Sequence, residues 1–311
     1  MSKVPQIKLN NGELMPGFGL GTYKSVGGDG RQAIKDAIDL GYRQFDTAFF
    51  YENEDEVGQA IKEKIAEGVI KREDAFVVTK LWSHFHDPDK VEHACRLSLG
   101  NLGLDYIDLY LMHWPYGYEY EGDKIMFPTN ANGEIRLSNV DYLDTWKAME
   151  NLVSLGLVKS IGVSNFNEKQ IDRLLSAAKI KPVCNQIEYH PGLQQTQLVQ
   201  HCVNKGIAVT GYSPLGCPDP SRDVPNFITN ANVKAIGAKY NKSSAQVILR
   251  YLVESNVVPI PKSSKKHRLL ENISIFDFQL DEEDHKALAA LNINQRVFPM
   301  SHASKSQYYP F

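Results

Sequence analysis

A chain of 311 residues, 42% hydrophobic and 23% charged, holds enough apolar material for a full-sized core, which excludes a disordered chain. Its net charge of −3 provides no general field to gather nucleic acid or an anionic membrane, so any anion it binds must meet a local basic cluster. Cys95, Cys184, Cys202 and Cys217 form no CxxC pair, the start MSKVPQIKLNNGE has no apolar signal core, and no window approaches roughly eighteen apolar residues, so a reduced, cytoplasmic protein is expected.

In chain order, a hairpin is predicted over 6–16, turning at NNGE and placed to close the bottom of a barrel. Short β-branched runs then alternate with longer amphipathic ones. The strand candidates are 17–22, 43–48, 75–81, 106–114, 158–165, 182–189, 207–214 and 256–263. Helix ends are legible between them. DPDKVEHACRLSLGNLG opens with an Asp87 cap and Pro88, and SSAQVILRYLVES opens with a Ser243–Gln246 capping box. Gly41, Gly68, Gly103, Gly156 and Gly206 stand where helices should stop. This alternation, with no Pro/Gly/Ser-rich linker, predicts a single (β/α)8 TIM barrel over residues 1–311. A loop at 116–139 and an aromatic tail at 292–311 fall outside the repeat, and the tail is expected to pack over the barrel mouth.

In parallel barrels the chemistry sits at the C-terminal ends of the strands. Asp46 ends the second candidate strand, Lys80 the third (VVTKLW) and His113 the fourth (LYLMHWP), while Tyr51 lies in the loop after the second. Singly, each reads as a turn carboxylate, a solvated strand end, a core histidine or a core tyrosine. Together they form a proton donor. A phenol with pKa near 10 is a weak acid at neutral pH, and an adjacent ammonium is expected to lower it. Lys80 supplies that charge, Asp46 compensates it, and His113 orients a substrate oxygen.

The stretches GYRQFDTAFFYENEDEVG (41–58), VKSIGVSNF (158–166) and IPKS (260–263) resemble the signatures of the aldo-keto reductases, with Gln44 where a histidine or small residue is commoner. The resemblance extends over essentially the whole chain. It implies a monomeric NADPH-dependent carbonyl reductase with Asp46, Tyr51, Lys80 and His113 as catalytic tetrad. By the same resemblance Ser164, Asn165 and Gln186 hold the nicotinamide carboxamide, Tyr212 stacks on its ring, and Ser213 and Leu215 meet the pyrophosphate. Lys262, Ser263 and Arg268 would bind the 2′-phosphate, with Glu271 and Asn272 near the adenine. The cluster Lys262, Lys265, Lys266, His267 and Arg268 independently suits a dianionic phosphate in an otherwise slightly acidic chain.

Thr22 and Tyr23 are expected to face the cofactor, and Tyr23, Phe50, Trp82, His113 and Trp114 to line a pocket for a small-molecule carbonyl, with Phe49 on or next to the same rim. Those aromatics favour an apolar or bulky substrate: steroid-like, aromatic or lipid. Two motifs mislead. GFGLGT lacks the immediately following helix of a dinucleotide fingerprint, since helical periodicity starts only near Arg31. YEGDK (120–124) mimics a Tyr-x-x-x-Lys pair but sits in a polar loop. The alternatives are a barrel that binds cofactor without turnover, and a metal-dependent hydrolase built on His84, His86 and His190, whereas the preferred reading needs no metal.

Overall fold

The computed structural model describes residues 4–25, 27–217 and 225–311. After an antiparallel hairpin, β1 (Gln6–Lys8) with β2 (Leu14–Pro16), strands β3 (Leu20–Gly21), β4 (Gln44–Asp46), β5 (Phe76–Leu81) and β6 (Ile107–Met112) lie side by side. β7 (Val158–Ser164), β8 (Cys184–Glu188), β9 (Ala208–Tyr212) and β10 (Val257–Pro259) continue the same parallel sheet in chain order. Gly19 N donates to Pro259 O at 3.1 Å and Gly21 N to Pro261 O at 3.2 Å, so the first strand meets the last and the sheet closes. Among the described residues this is the (β/α)8 barrel with an N-terminal hairpin that the alternation predicts.

Helices α1 (Gly27–Asp39), α2 (Glu54–Ala66), α3 (Pro88–Leu102), α4 (Tyr142–Ser154), α5 (Glu168–Ala177) and α6 (Thr196–Asn204) each join one strand to the next. The last crossover carries two, α7 (Ala231–Tyr240) and α8 (Ser244–Glu254), and α9 (Lys266–Ile273) and α10 (Glu282–Ala289) follow β10. α1 begins four residues before the predicted Arg31, because its glycine-rich first turn carries no apolar periodicity. The Ser243–Gln246 box forms, with Ser243 N donating to Gln246 Oε1 at 3.0 Å and Gln246 N to Ser243 Oγ at 3.3 Å. The predicted Asp87 cap does not: its side chain makes no cap bond, and α3 starts on Pro88, whose fixed φ suits the first helical position. Gly103 ends α3 at φ +59°, where a Cβ would be strained. Gly58 on α2 serves packing instead, since a Cβ there would lie 1.8 Å from Leu102 O.

Inside the barrel the side chains form layers. Leu9 and Met15 of the hairpin pack with Phe76, Val78, Leu109, Leu111, Cys184 and Val258, which seals the lower end. Asn10 Nδ2 donates to Pro182 O and Asn11 Nδ2 to Ser160 Oγ, each at 2.9 Å, and these bonds fix the plug. The apolar faces of the helices cover the outside of the strands, so β5 and β6 are buried along their whole length. Ser160 at the lower end is satisfied by the plug, while Asp46, Lys80 and His113 stand at the upper end.

Candidate active site

The upper ends of β4, β5 and β6 place Asp46, Lys80 and His113 on one rim. Tyr51 reaches them through a short 3-10 turn, Phe49–Tyr51, that stops at Glu52 in the left-handed region (φ 52°). Asn53 locks that turn: its Nδ2 donates to Thr22 O and Ser25 O at 2.8 Å each, and its Oδ1 accepts from Thr47 Oγ1 at 2.7 Å. Lys80 Nζ donates to Asp46 Oδ1 at 2.6 Å and to Thr47 O at 2.8 Å, and lies 3.5 Å from the Tyr51 hydroxyl. The other Asp46 oxygen accepts from Gln186 Nε2 at 2.7 Å, which ties β4 to β8 across the barrel. Lys80 is fully buried, and such an ammonium is tolerable only beside a hydrogen-bonded carboxylate.

The electrostatics correct one expectation. Lys80 does not bring the Tyr51 phenol toward neutrality. Burial foremost, then the Asp46 carboxylate and Tyr23, hold its pKa well above the ordinary tyrosine value. The short bonds of the Lys80 ammonium go to Asp46 and Thr47, so its field is largely cancelled at the phenol. Tyr51 is therefore a fully protonated donor. Burial, followed by the charge of Lys80 and by His86, pushes His113 well below the ordinary histidine value, so its imidazole is neutral. Its ring lies 5.8 Å from that of Tyr51.

From this rim a cleft of about 940 Å³ runs to the loop before α9. At one end Tyr51, His113, Trp82, Trp114, Phe50 and Tyr23 line it, with Phe50 stacked on Trp82 at 4.1 Å. Phe49 is not on this wall; it turns outward onto Phe85, with ring centroids 5.2 Å apart. Thr22, Asp46, Asn165, Gln186, Tyr212, Ser213 and Leu215 line the middle, and Lys262, Ser263, Arg268, Glu271 and Asn272 the far end. Ser164 and Lys80 stand behind the wall. Ser164 Oγ donates to Gln186 O at 2.9 Å and accepts from Asn165 Nδ2 at 3.1 Å.

Asn165 adopts a left-handed φ of 64°, held by Nδ2 on His113 O at 3.0 Å and by the Tyr212 hydroxyl on its Oδ1 at 2.9 Å. Ser213, at φ 51°, is a second strained position on the same rim, and such strain clusters where a surface is shaped for a ligand. At the basic end, Lys266 meets Asp36 at 3.3 Å, whereas among the described residues Lys262 and Arg268 form no ion pair.

Residue-by-residue reading missed Phe127, Phe298, Met300 and His302 on the cleft wall. It also missed Glu188, whose buried carboxylate accepts from Val297 N (2.6 Å), Phe298 N (3.0 Å) and His190 Nε2 (2.9 Å) and so anchors the root of the tail. Tyr120 and Lys124 lie in a loop, as expected, and the Tyr120 hydroxyl donates to Asp123 at 2.7 Å. His84 meets the Asp123 carbonyl at 3.1 Å, and among the described residues no group of three or more His, Cys, Asp or Glu side chains is arranged to hold a metal.

The sequence profile of the Aldo/keto reductase family matches residues 18–293. The chain belongs to that family. This aldo/keto reductase is 48% identical over 299 residues to aldo-keto reductase family 1 member A1 of Gallus gallus, with 94% of this chain and 91% of that one covered. The Homo sapiens protein of the same name is 46% identical with the same coverage. Among solved structures, the aldose reductase of Schistosoma japonicum superposes with TM-score 0.93 at 43% identity, covering 99% of this chain and 98% of that one. The aldo-keto reductase of Bombyx mori, solved in complex with NADP, gives TM-score 0.91 at 42% identity with both chains fully covered. Among the described residues no helix is long and apolar enough to cross a membrane.

Proposed function

We propose that this aldo/keto reductase reduces an aldehyde or ketone to the alcohol with NADPH, using Tyr51 as proton donor. The observation that carries the reading is the buried Lys80–Asp46 pair, with its ammonium 3.5 Å from the Tyr51 hydroxyl on the rim shared with His113. Lys80, Asp46, Tyr51 and His113 are the catalytic four.

The cleft suits NADPH on its own chemistry. It is long, carries a tyrosine ring at mid-length and ends at Lys262 and Arg268, two cations without an ion pair among the described residues. Asn165 and Gln186, positioned by Ser164, offer amides for the nicotinamide carboxamide. Tyr212 offers a stacking face, and Thr22, Tyr23 and Asp46 close the near side. Ser213 and Leu215 would meet the pyrophosphate, Lys262, Ser263 and Arg268 the 2′-phosphate, and Glu271 and Asn272 the adenine. When bound, NADPH supplies the hydride to the carbonyl carbon.

The chain's own residues then do three things. Neutral His113 and protonated Tyr51 hydrogen-bond the carbonyl oxygen and orient it. As negative charge gathers there, Tyr51 releases its proton, because the alkoxide is more basic than a phenolate even in this site. Lys80 stabilises the phenolate so formed, and Asp46 keeps the lysine charged in a buried position.

Trp82, Trp114, Phe50 and Tyr23 favour an apolar or bulky carbonyl. The whole described chain reads as one domain, in which the loop at 116–139 and the tail at 292–311 set substrate size. It acts as a monomer, as the family resemblance implies. The free cysteines Cys95, Cys184, Cys202 and Cys217 suit a reducing, cytoplasmic setting. The test is NADPH absorbance on a panel of aromatic, aliphatic and steroid-like carbonyls, with a chelator-treated sample alongside. Oxidation that favours the aromatic and bulky members and ignores the chelator is expected; no oxidation across the panel would overturn the reading.

A further inference from the structure

His302 stands at the mouth of the cleft in a 3-10 turn, Ser301–Ala303, anchored by the fully buried Ala303. Its Nε2 lies 2.8 Å from the hydroxyl of Tyr118, which is almost completely buried. Tyr118 is itself rigidly held, with its backbone N–H on Ser83 O at 2.9 Å and a bridge to Leu137. The Tyr118 hydroxyl also meets that of Tyr116, whose buried O–H has no other partner among the described residues and so donates to Tyr118, which in turn donates to the imidazole. If Tyr118 instead accepted from His302 and donated to Tyr116, the buried Tyr116 proton would be left without a partner among the described residues. Nε2 is therefore the acceptor, and the ring proton sits on Nδ1. Burial holds the imidazole below the ordinary histidine pKa, so this neutral tautomer is the resident one near pH 7.

His302 is otherwise exposed and borders the cleft, and among the described residues its Nδ1 has no hydrogen-bond partner, so its N–H can meet a ligand. Three ring-to-ring steps lead from the reacting end to it: His113 to Trp82 at 5.1 Å, Trp82 to Phe127 at 5.5 Å and Phe127 to His302 at 5.7 Å. The walls between are apolar. This end of the cleft therefore pairs a hydrogen-bonding site at the carbonyl with a second one beyond an aromatic channel about two rings long.

Resting on the carbonyl-reductase reading, we propose that His302 is a specificity residue whose Nδ1–H donates to a hydrogen-bond acceptor at the far end of the substrate. The favoured substrate class is then an aldehyde or ketone on a flat, apolar, two-ring body that carries an uncharged acceptor at its opposite end.

The experiment compares biphenyl-4-carbaldehyde with its 4′-(N,N-dimethylcarboxamide), which adds an acceptor and no donor. Wild type should prefer the amide by roughly three- to tenfold in kcat/KM, through KM, as befits one hydrogen bond. His302→Phe should bring the ratio to about one, and His302→Gln, which keeps an N–H, should restore part of the preference. A ratio that survives in His302→Phe, or an equal loss for both aldehydes, would overturn the assignment. Affinities of the two aldehydes for the NADP⁺-loaded protein, measured in parallel, carry the same ratio without turnover. A failure of the reductase reading and a failure of the His302 assignment are thereby told apart.

Discussion

Replacing Asp46 by Asn leaves the shape of the site and removes the carboxylate bonded to Lys80. The asparagine amide then faces two donors, Lys80 Nζ at 2.6 Å and Gln186 Nε2 at 2.7 Å, and one of the two contacts becomes donor against donor. Breaking a buried pair by removing one partner costs about 3–5 kcal/mol, because an uncompensated charge stays behind. For a chain of this size that corresponds to a melting temperature lower by about 5–8 °C at pH 7. The deficit should depend on pH. Burial already holds the Lys80 pKa below the ordinary lysine value, with Asp46 opposing that shift, so the folded state sheds this proton at lower pH than the unfolded state does. Stability linked to this group therefore rises with pH. Without Asp46 the lysine is pushed lower still, its charge is lost earlier as pH rises, and the deficit shrinks toward about pH 9.5. Thermal melts of both proteins by circular dichroism at the two pH values provide the check. A variant as stable as wild type at pH 7, or a deficit that widens with pH, would refute the reasoning.

Further tests reach other parts of the molecule. Lys262→Ala with Arg268→Ala should weaken NADPH by about a hundredfold, at about tenfold for each exposed charge-assisted contact, and leave NADH nearly unchanged; titration of nucleotide fluorescence measures both, and equal weakening would remove the 2′-phosphate assignment. Deleting the residues after Met300 should reorder the substrates by kcat/KM while cofactor affinity holds, and an unchanged ranking would show that the tail has no part in selection. Gly58→Ala drives a Cβ into the Leu102 carbonyl, so denaturant melts should show a loss of about 1–3 kcal/mol or more, and a neutral result would mean that α2 and α3 separate easily.

The barrel was legible because its strands are buried on both faces and read as apolar runs, while α3 and α8 carry their own start signals. Asp46, Lys80 and His113 were legible for a different reason: a parallel barrel brings strand ends together whatever lies between them in sequence. What failed depended on direction. Phe49 and Phe50 are neighbours, yet the 3-10 turn sends one into the helical layer and the other onto Trp82. How deeply the Tyr51 phenol is buried, and that Asp46 lies close to it, cannot be read from spacing, and burial foremost reverses the effect expected at Tyr51. The tail has no periodicity from which to read facing, so Phe298, Met300 and His302 became visible only once Glu188 and Tyr118 were seen to hold it.

The central claim is that Tyr51 donates the proton. Tyr51→Phe removes one oxygen from a site whose shape is otherwise set by Asn53, Lys80 and Asp46. The most direct measurement pairs NADPH affinity with the rate of NADPH oxidation by an aromatic aldehyde, in wild type and in this variant. The account predicts affinity within about twofold and turnover lower by at least about a hundredfold, the usual contribution of a positioned acid. Turnover close to wild type would contradict it and move the proton to another group on the rim.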